Sequence, residues 1–290
     1  MLYLGYKIGE LVAQGLPLDS AYFIADIAGR VYYWLSKKDR DIVINNMKVV
    51  LNSKTDSLDQ VLRSSKMVFV SFGRYLVEFF RAPKIDLEFV KQKVIFEGKE
   101  NLEQALSLRK GVLLVSAHLG NWEFGGIFLS LLGYKINAIA WSHQQKAVND
   151  LFVQRRKNKG VRVIPLGTAI RRVFSALKNN EMVGLLGDID YLHPDQGIKV
   201  KFFGQDAVMP QGPAVFSIKC GSPIIPVAVV RIADNRFKLI LEKPIIYHPS
   251  SNQEADVMNL TQQVALALEF FIAQYPEQWF MLRPRWSNRL

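Results

Sequence analysis

The stretch Ser116-Ala117-His118-Leu119-Gly120-Asn121-Trp122-Glu123 sets an imidazole five positions ahead of a carboxylate, with Gly120 and Asn121 between them. Glycine and asparagine supply the backbone freedom of a sharp turn. Such a turn would fold Glu123 back to the ring of His118. That pair has a definite use. A hydroxyl attacks poorly until a base takes its proton, and a neutral imidazole suits that task near physiological pH. A carboxylate on the other ring nitrogen holds the tautomer and stabilises the imidazolium that forms. The nucleophile would be a hydroxyl of the substrate, because no serine or cysteine lies in a convincing nucleophile motif. The plainer alternative is a structural histidine after a strand and an acid favourably placed in a helix's first turn. A metal site is not indicated. The spacing is not that of a two-histidine helix site, and His143, His193 and His248 are scattered.

To position these groups the chain needs a strand ending near His118 and a helix beginning near Glu123. Residues Gly111 to Ser116 are a short apolar run of the buried-strand kind, and a helix is predicted from Trp122 to about Leu132. Further strands are predicted at Val94–Phe96, Ile136–Trp141, Val161–Pro165, Val183–Leu186, Val200–Phe203, Ile224–Arg231 and Phe237–Ile246. Helices are predicted at Lys99–Arg109, Asn149–Lys159, Thr168–Lys178 and about Glu254–Tyr275. This alternation predicts an α/β fold whose central mixed sheet is covered by helices. Catalytic groups of open α/β sheets gather at the carboxyl ends of the strands, where His118 falls. Residues 1–82 read as helical, with a break at Gly15-Leu16-Pro17, and residues 93–290 as the α/β core. No linker separates them, so a single domain over 1–290 is expected.

Composition narrows the setting. The chain of 290 residues is 49% hydrophobic and 22% charged, which is a globular profile. Its formal charge is +11, and residues 155–178 carry Arg155, Arg156, Lys157, Lys159, Arg162, Arg171, Arg172 and Lys178 without an acid. Such a cluster is either a solvated face or a field for an anionic partner. A lone cysteine, Cys220, excludes an internal disulfide and reads as a buried inert thiol. Lys7, Glu10, Asp19, Asp26 and Arg30 interrupt residues 1–36, so no spanning helix is expected there. Phe23, Ile27, Val31, Trp34 and Leu35 nevertheless recur on one helical face, and Lys37, Lys38 and Arg40 follow. That segment is expected to lie in a membrane interface; an ordinary core helix pair is the alternative. Nothing resembles a nucleic-acid motif, and nucleic acid is not expected as a partner.

The block His118-Leu119-Gly120-Asn121-Trp122-Glu123 resembles the H-x4-D/E motif of glycerolipid acyltransferases, and in particular the late acyltransferases of lipid A biosynthesis. The likeness continues in order. Arg156-Lys157-Asn158-Lys159-Gly160 resembles that family's arginine segment, and Gly187-Asp188-Ile189-Asp190-Tyr191 its D-x-D block. Phe202-Phe203-Gly204 with Gly212-Pro213-Ala214, and Pro276-Glu277-Gln278-Trp279 with Arg285-Trp286, resemble later segments. The resemblance implies a transferase that moves an acyl group from acyl carrier protein to a hydroxyl of a membrane glycolipid such as a lipid A precursor. It would need no cofactor and would work at the cytosolic face of the cytoplasmic membrane, peripheral or monotopic. His118 would be the general base and Glu123 its orienting carboxylate. Arg156 would stabilise charge at the acyl carbonyl or bind an acceptor phosphate. Asp188 and Asp190 would hold sugar hydroxyls, fix Arg156 or cap a turn. Asn121 would donate to the substrate or only shape the turn. A phosphatidylinositol mannoside acyltransferase, a non-catalytic basic membrane-binding protein and a thioester hydrolase remain alternative readings.

Overall fold

The computed structural model describes residues 2–51, 57–166, 169–189, 197–233 and 235–286. Four helices lead: α1 (Leu2–Gly15), α2 (Leu18–Leu35), α3 (Lys37–Leu51) and α4 (Leu58–Arg81). Pro17 stands just before α2, where a missing N–H costs nothing. On α2, Ala21, Tyr22, Ala25, Gly29 and Tyr33 face inward onto α4. Gly29 is required there, because a Cβ would sit 2.6 Å from the Phe69 carbonyl oxygen. The opposite face of α2 is bare: Phe23 is 67% exposed, Trp34 66% and Leu35 79%. A core helix pair would bury those rings. Among the described residues no helix is long and apolar enough to cross a membrane.

The remainder alternates strands and helices: α5 (Leu87–Lys93), β1 (Val94–Glu97), α6 (Lys99–Ser107), β2 (Val112–Ser116), α7 (Trp122–Leu131), β3 (Ile136–Ala140) and α8 (Lys146–Asn158). Then come β4 (Arg162–Pro165), α9 (Ala169–Lys178), β5 (Met182–Leu186), β6 (Ile198–Phe202), β7 (Gln205–Met209), α10 (Gly212–Cys220), β8 (Ile224–Ile232), β9 (Arg236–Leu241) and α11 (Gln253–Gln274). Seven strands form a sheet in the order β1-β9-β8-β2-β5-β3-β4, with only the β8–β9 pair antiparallel. This is the expected mixed sheet. Strand β2 shows why its first four residues are all apolar. Leu113 and Val115 enter the core beneath α9, α10 and α11, while Val112 and Leu114 enter the core beneath α7. Each such side chain contributes roughly 1.5–3 kcal/mol by leaving water.

Three elements were not expected, the first being the short helix α5. Strand β7 forms a hairpin with β6 outside the main sheet, and Gly212–Cys220 is a helix whose start carries Pro213. The apolar run around Cys220 therefore belongs to a helix. The Cys220 thiol is partly buried, and that burial raises its pKa.

Candidate active site

Register brings the site together. Ser116 pairs with Leu186 across β2 and β5, so the residues that follow each strand also lie side by side. The backbone N–H of Gly187 donates to the Ser116 carbonyl at 2.8 Å. One step further, Asp188 receives two contacts from His118. Its Oδ2 accepts the His118 backbone N–H at 2.9 Å, and its Oδ1 lies 2.8 Å from Nδ1 of the ring. The Trp279 indole also donates to Oδ2, at 3.1 Å. Asp188 is fully buried. Burial alone would raise its pKa. The charge of His118, the bonds from its ring and backbone, and the indole outweigh that burial and hold the carboxyl below its usual range.

The carboxylate on the imidazole is therefore Asp188, where Glu123 was expected. Glu123 stands in the first turn of α7, and both of its oxygens face Arg156 of α8: Oε2 accepts from Nε at 2.8 Å and Oε1 from Nη2 at 2.6 Å. This is a bidentate fork, the strongest geometry for such a pair. Burial lowers the Arg156 pKa and the Glu123 charge more than reverses it, leaving it raised. The physical reason for the exchange is the direction of α7. The turn does fold sharply, but it aims Glu123 across to α8. Asp188 is thus committed to neither a sugar hydroxyl nor Arg156. Asp190 lies outside the described residues.

The turn is held by its backbone. Gly120 has φ +58°, and a Cβ there would meet the Val229 carbonyl oxygen at 2.0 Å, so only glycine fits. Its N–H donates to the Gln278 carbonyl at 2.8 Å, and the Asn121 N–H donates to that of Val229 at 2.7 Å. Asn121 is 1% exposed. Its Oδ1 accepts the Phe124 N–H at 3.1 Å, capping α7. Its Nδ2 donates to Glu78 of α4 at 2.7 Å. Of the two readings for Asn121, this geometry matches the shaping of the turn.

His118, Trp122, Glu123 and Arg156 share the wall of a cavity of about 1070 Å³ whose lining is mostly apolar. The cavity reaches the place where the sheet parts. Pairing of β3 with β5 ends at Ala138 and Gly184, whereas β3–β4 pairing continues to Ala140 and β2–β5 pairing to Leu186. Ile139, Ala140, Leu185 and Leu186 line the opening. Gly126 and Leu129 of α7, Phe174 of α9 and Phe216 of α10 also line the cavity. A space of this size and apolar lining is large enough for a flexible hydrocarbon chain. Leu129 of α7 lines the cavity, while Phe124 and Phe128 are packed core. Among the described residues no cluster of three or more histidine, cysteine or acidic side chains is placed to hold a metal.

The basic segment does not act as one face. Arg155 is buried and pairs with Glu10 of α1 at 2.6 Å, Arg156 is taken by Glu123, and Arg162 meets Glu181 at 3.0 Å. Sequence reasoning did not single out Glu78, Tyr22, Arg231 or a site role for Trp279. The available signal for Glu78 was a lone acid in the aromatic run from Phe69 to Phe80.

A family model for bacterial lipid A biosynthesis acyltransferases matches residues 1–288. A phosphatidylinositol mannoside acyltransferase of Mycolicibacterium smegmatis is 28% identical over 98% of this chain and 90% of its own length. The lipid A biosynthesis palmitoleoyltransferase of Escherichia coli is 26% identical over 76% of this chain and 70% of its own length. The crystal structure of the 1-acyl-sn-glycerophosphate acyltransferase PlsC from Thermotoga maritima aligns with 92% of this chain and 100% of that one, at 17% identity and a TM-score of 0.42.

Proposed function

The chain belongs to the bacterial lipid A biosynthesis acyltransferase family, and from that premise we propose that it moves a fatty acyl group from acyl carrier protein to a hydroxyl of a membrane glycolipid, with His118 as general base. The observation that carries this reading is the His118–Asp188 pair in the wall of a large apolar cavity. Asp188 accepts from Nδ1–H, which leaves Nε2 as the basic nitrogen. Nε2 takes the acceptor's hydroxyl proton as the oxygen attacks the thioester carbonyl. Asp188 stabilises the imidazolium that results. The tetrahedral intermediate collapses, the carbon–sulfur bond breaks, and the imidazolium returns its proton to the departing thiolate. The product is an ester and a free thiol, and no group from outside is consumed.

Arg156 brings a guanidinium to the cavity wall, suited to a developing oxyanion or to an acceptor phosphate. Glu123 holds that guanidinium in place. The cavity would receive the acyl chain. The bare face of α2, followed by Lys37, Lys38 and Arg40, supports peripheral attachment to the cytosolic face of the cytoplasmic membrane. Residues 1–290 act in this reading as one acyltransferase domain.

The acceptor is a phosphatidylinositol mannoside or a lipid A precursor, and the broader coverage of the mycolicibacterial relative favours the former. The test incubates detergent-purified protein with acyl–acyl carrier protein and each glycolipid, following lipid mass. His118→Ala and Glu123→Ala are expected to abolish product, Arg156→Ala to lose most of it and Cys220→Ser to lose little. An inactive Cys220→Ser beside an active His118→Ala overturns the choice of base. Binding to vesicles without turnover on either glycolipid favours a non-catalytic membrane-binding protein.

A further inference from the structure

Glu78 of α4 is 3% exposed, lies outside the cavity lining, and gathers donors from three separate parts of the chain. The Tyr22 hydroxyl of α2 donates to its Oε1 at 2.9 Å, and the Nε of Arg231 in β8 donates to the same oxygen. Its Oε2 accepts only the Asn121 amide among the described contacts, at 2.7 Å. Arg231 is fastened to the same turn a second way. The Gln278 side chain accepts from its N–H and donates to its carbonyl, both at 2.9 Å, while the Gln278 carbonyl accepts from Gly120. Tyr22 lies beneath the guanidinia of Arg231 and Arg74, and Arg74 forks onto Asp26 at 2.6 Å through both nitrogens. A buried carboxylate is costly to keep unless it is fully satisfied. This one is satisfied by a tyrosine, an arginine and the side chain that caps α7.

We propose that Glu78 is a positioning residue for the acyl transfer, acting through Asn121 to hold the turn between His118 and Glu123, with Tyr22 and Arg231 locking its orientation. This rests on His118 being the base. The turn has His118 at one end and the Glu123–Arg156 fork at the other, so its seat sets the distance between the basic nitrogen and the guanidinium. A shift of about 1 Å in such a distance costs on the order of a hundredfold in rate. Neither partner of the transfer touches Glu78, so its loss acts on turnover and leaves affinity in place.

Glu78→Gln isolates the contact. The glutamine carbonyl still accepts from Tyr22 and Arg231, but its NH2 group now faces the Asn121 NH2, donor against donor. Asn121 cannot flip without uncapping Phe124. The expected result, with acyl–acyl carrier protein and whichever of the two glycolipids the wild type accepts, is a kcat lower by about 100-fold with each KM within about threefold. In a cycle with Asn121→Ala the two losses are expected not to add, because both remove one contact. Hydrogen exchange on the same proteins is expected to quicken over residues 118–126 and to stay unchanged over α11.

Should the uncompensated charge of Arg231 unfold this variant, Glu78→Leu with Arg231→Met and Tyr22→Phe removes the whole polar cluster at similar volume, and the same readouts apply. Unchanged kcat, additive losses, or unchanged exchange over 118–126 overturns the inference. A His118→Ala control separates the two failures. If that variant turns over normally, the reading of the site falls. If it is dead while the Glu78 variants are normal, only the role of Glu78 falls.

Discussion

Asp188→Asn separates holding a proton on the correct nitrogen from merely filling a buried space. Asp188 accepts three donors: Nδ1–H on Oδ1, and the His118 backbone N–H and the Trp279 indole on Oδ2. Asparagine has one oxygen and one NH2. If the oxygen faces the ring, the NH2 opposes two buried donors, each costing about 1–3 kcal/mol when unsatisfied. If the oxygen faces those two donors, the NH2 instead points at Nδ1, which can become an acceptor by moving its proton to Nε2. The second orientation is therefore favoured by two unsatisfied donors, about 2–6 kcal/mol, and it puts the proton on the nitrogen that must act as base. The loss of the negative charge beside the imidazolium adds to this. A charge-assisted bond contributes about 1.5–3 kcal/mol. Together these give about 3.5–9 kcal/mol, a fall in kcat of about 4 × 10² to 4 × 10⁶ at tenfold per 1.36 kcal/mol. All buried donors remain satisfied, so the fold persists. The assay is kcat on acyl–acyl carrier protein at saturating glycolipid, paired with nitrogen NMR of the ring, which should report Nε2–H. Activity within about threefold of wild type, with the proton on Nδ1, would refute the reasoning.

Three other outcomes follow from the same geometry. Gly120→Ala should destabilise the protein by about 1–3 kcal/mol or more from backbone strain, read by thermal melting, with a parallel loss of turnover, because the new Cβ meets the Val229 carbonyl. Arg156→Met should cost about 3–5 kcal/mol by stranding the buried Glu123 carboxylate, and adding Glu123→Leu should restore stability without activity. The Asp188 carboxyl titrates lower in the folded state than its unfolded value of about 3.9, so it contributes stability that is present above that pH and lost as pH falls through the folded value. Denaturant melts of Asp188→Asn should therefore show a shallower loss of stability below about pH 4.

Local pattern carried most of the architecture. Val112–Ser116 has to be a strand buried on both faces, because its five residues are apolar or small without alternation and glycine precedes them. The break at Gly15 to Pro17, the helix of α11 and the apolar stripe of α2 are likewise properties of neighbouring residues, whereas only the packing left that stripe bare. The pairing of His118 was not. An imidazole bonds whatever the adjacent strand delivers, and Asp188 is 70 residues away. Only the placement of β5 beside β2 brings it there, through a strand order set by how seven strands share two cores. Glu123 faces Arg156 for the same kind of reason: the reach of its side chain is local, but the crossing of α7 and α8 that fills that reach is not. The contact of Glu78 with Asn121 depends on where α4 is placed relative to the turn and to Arg231 of β8, which no spacing along the chain encodes.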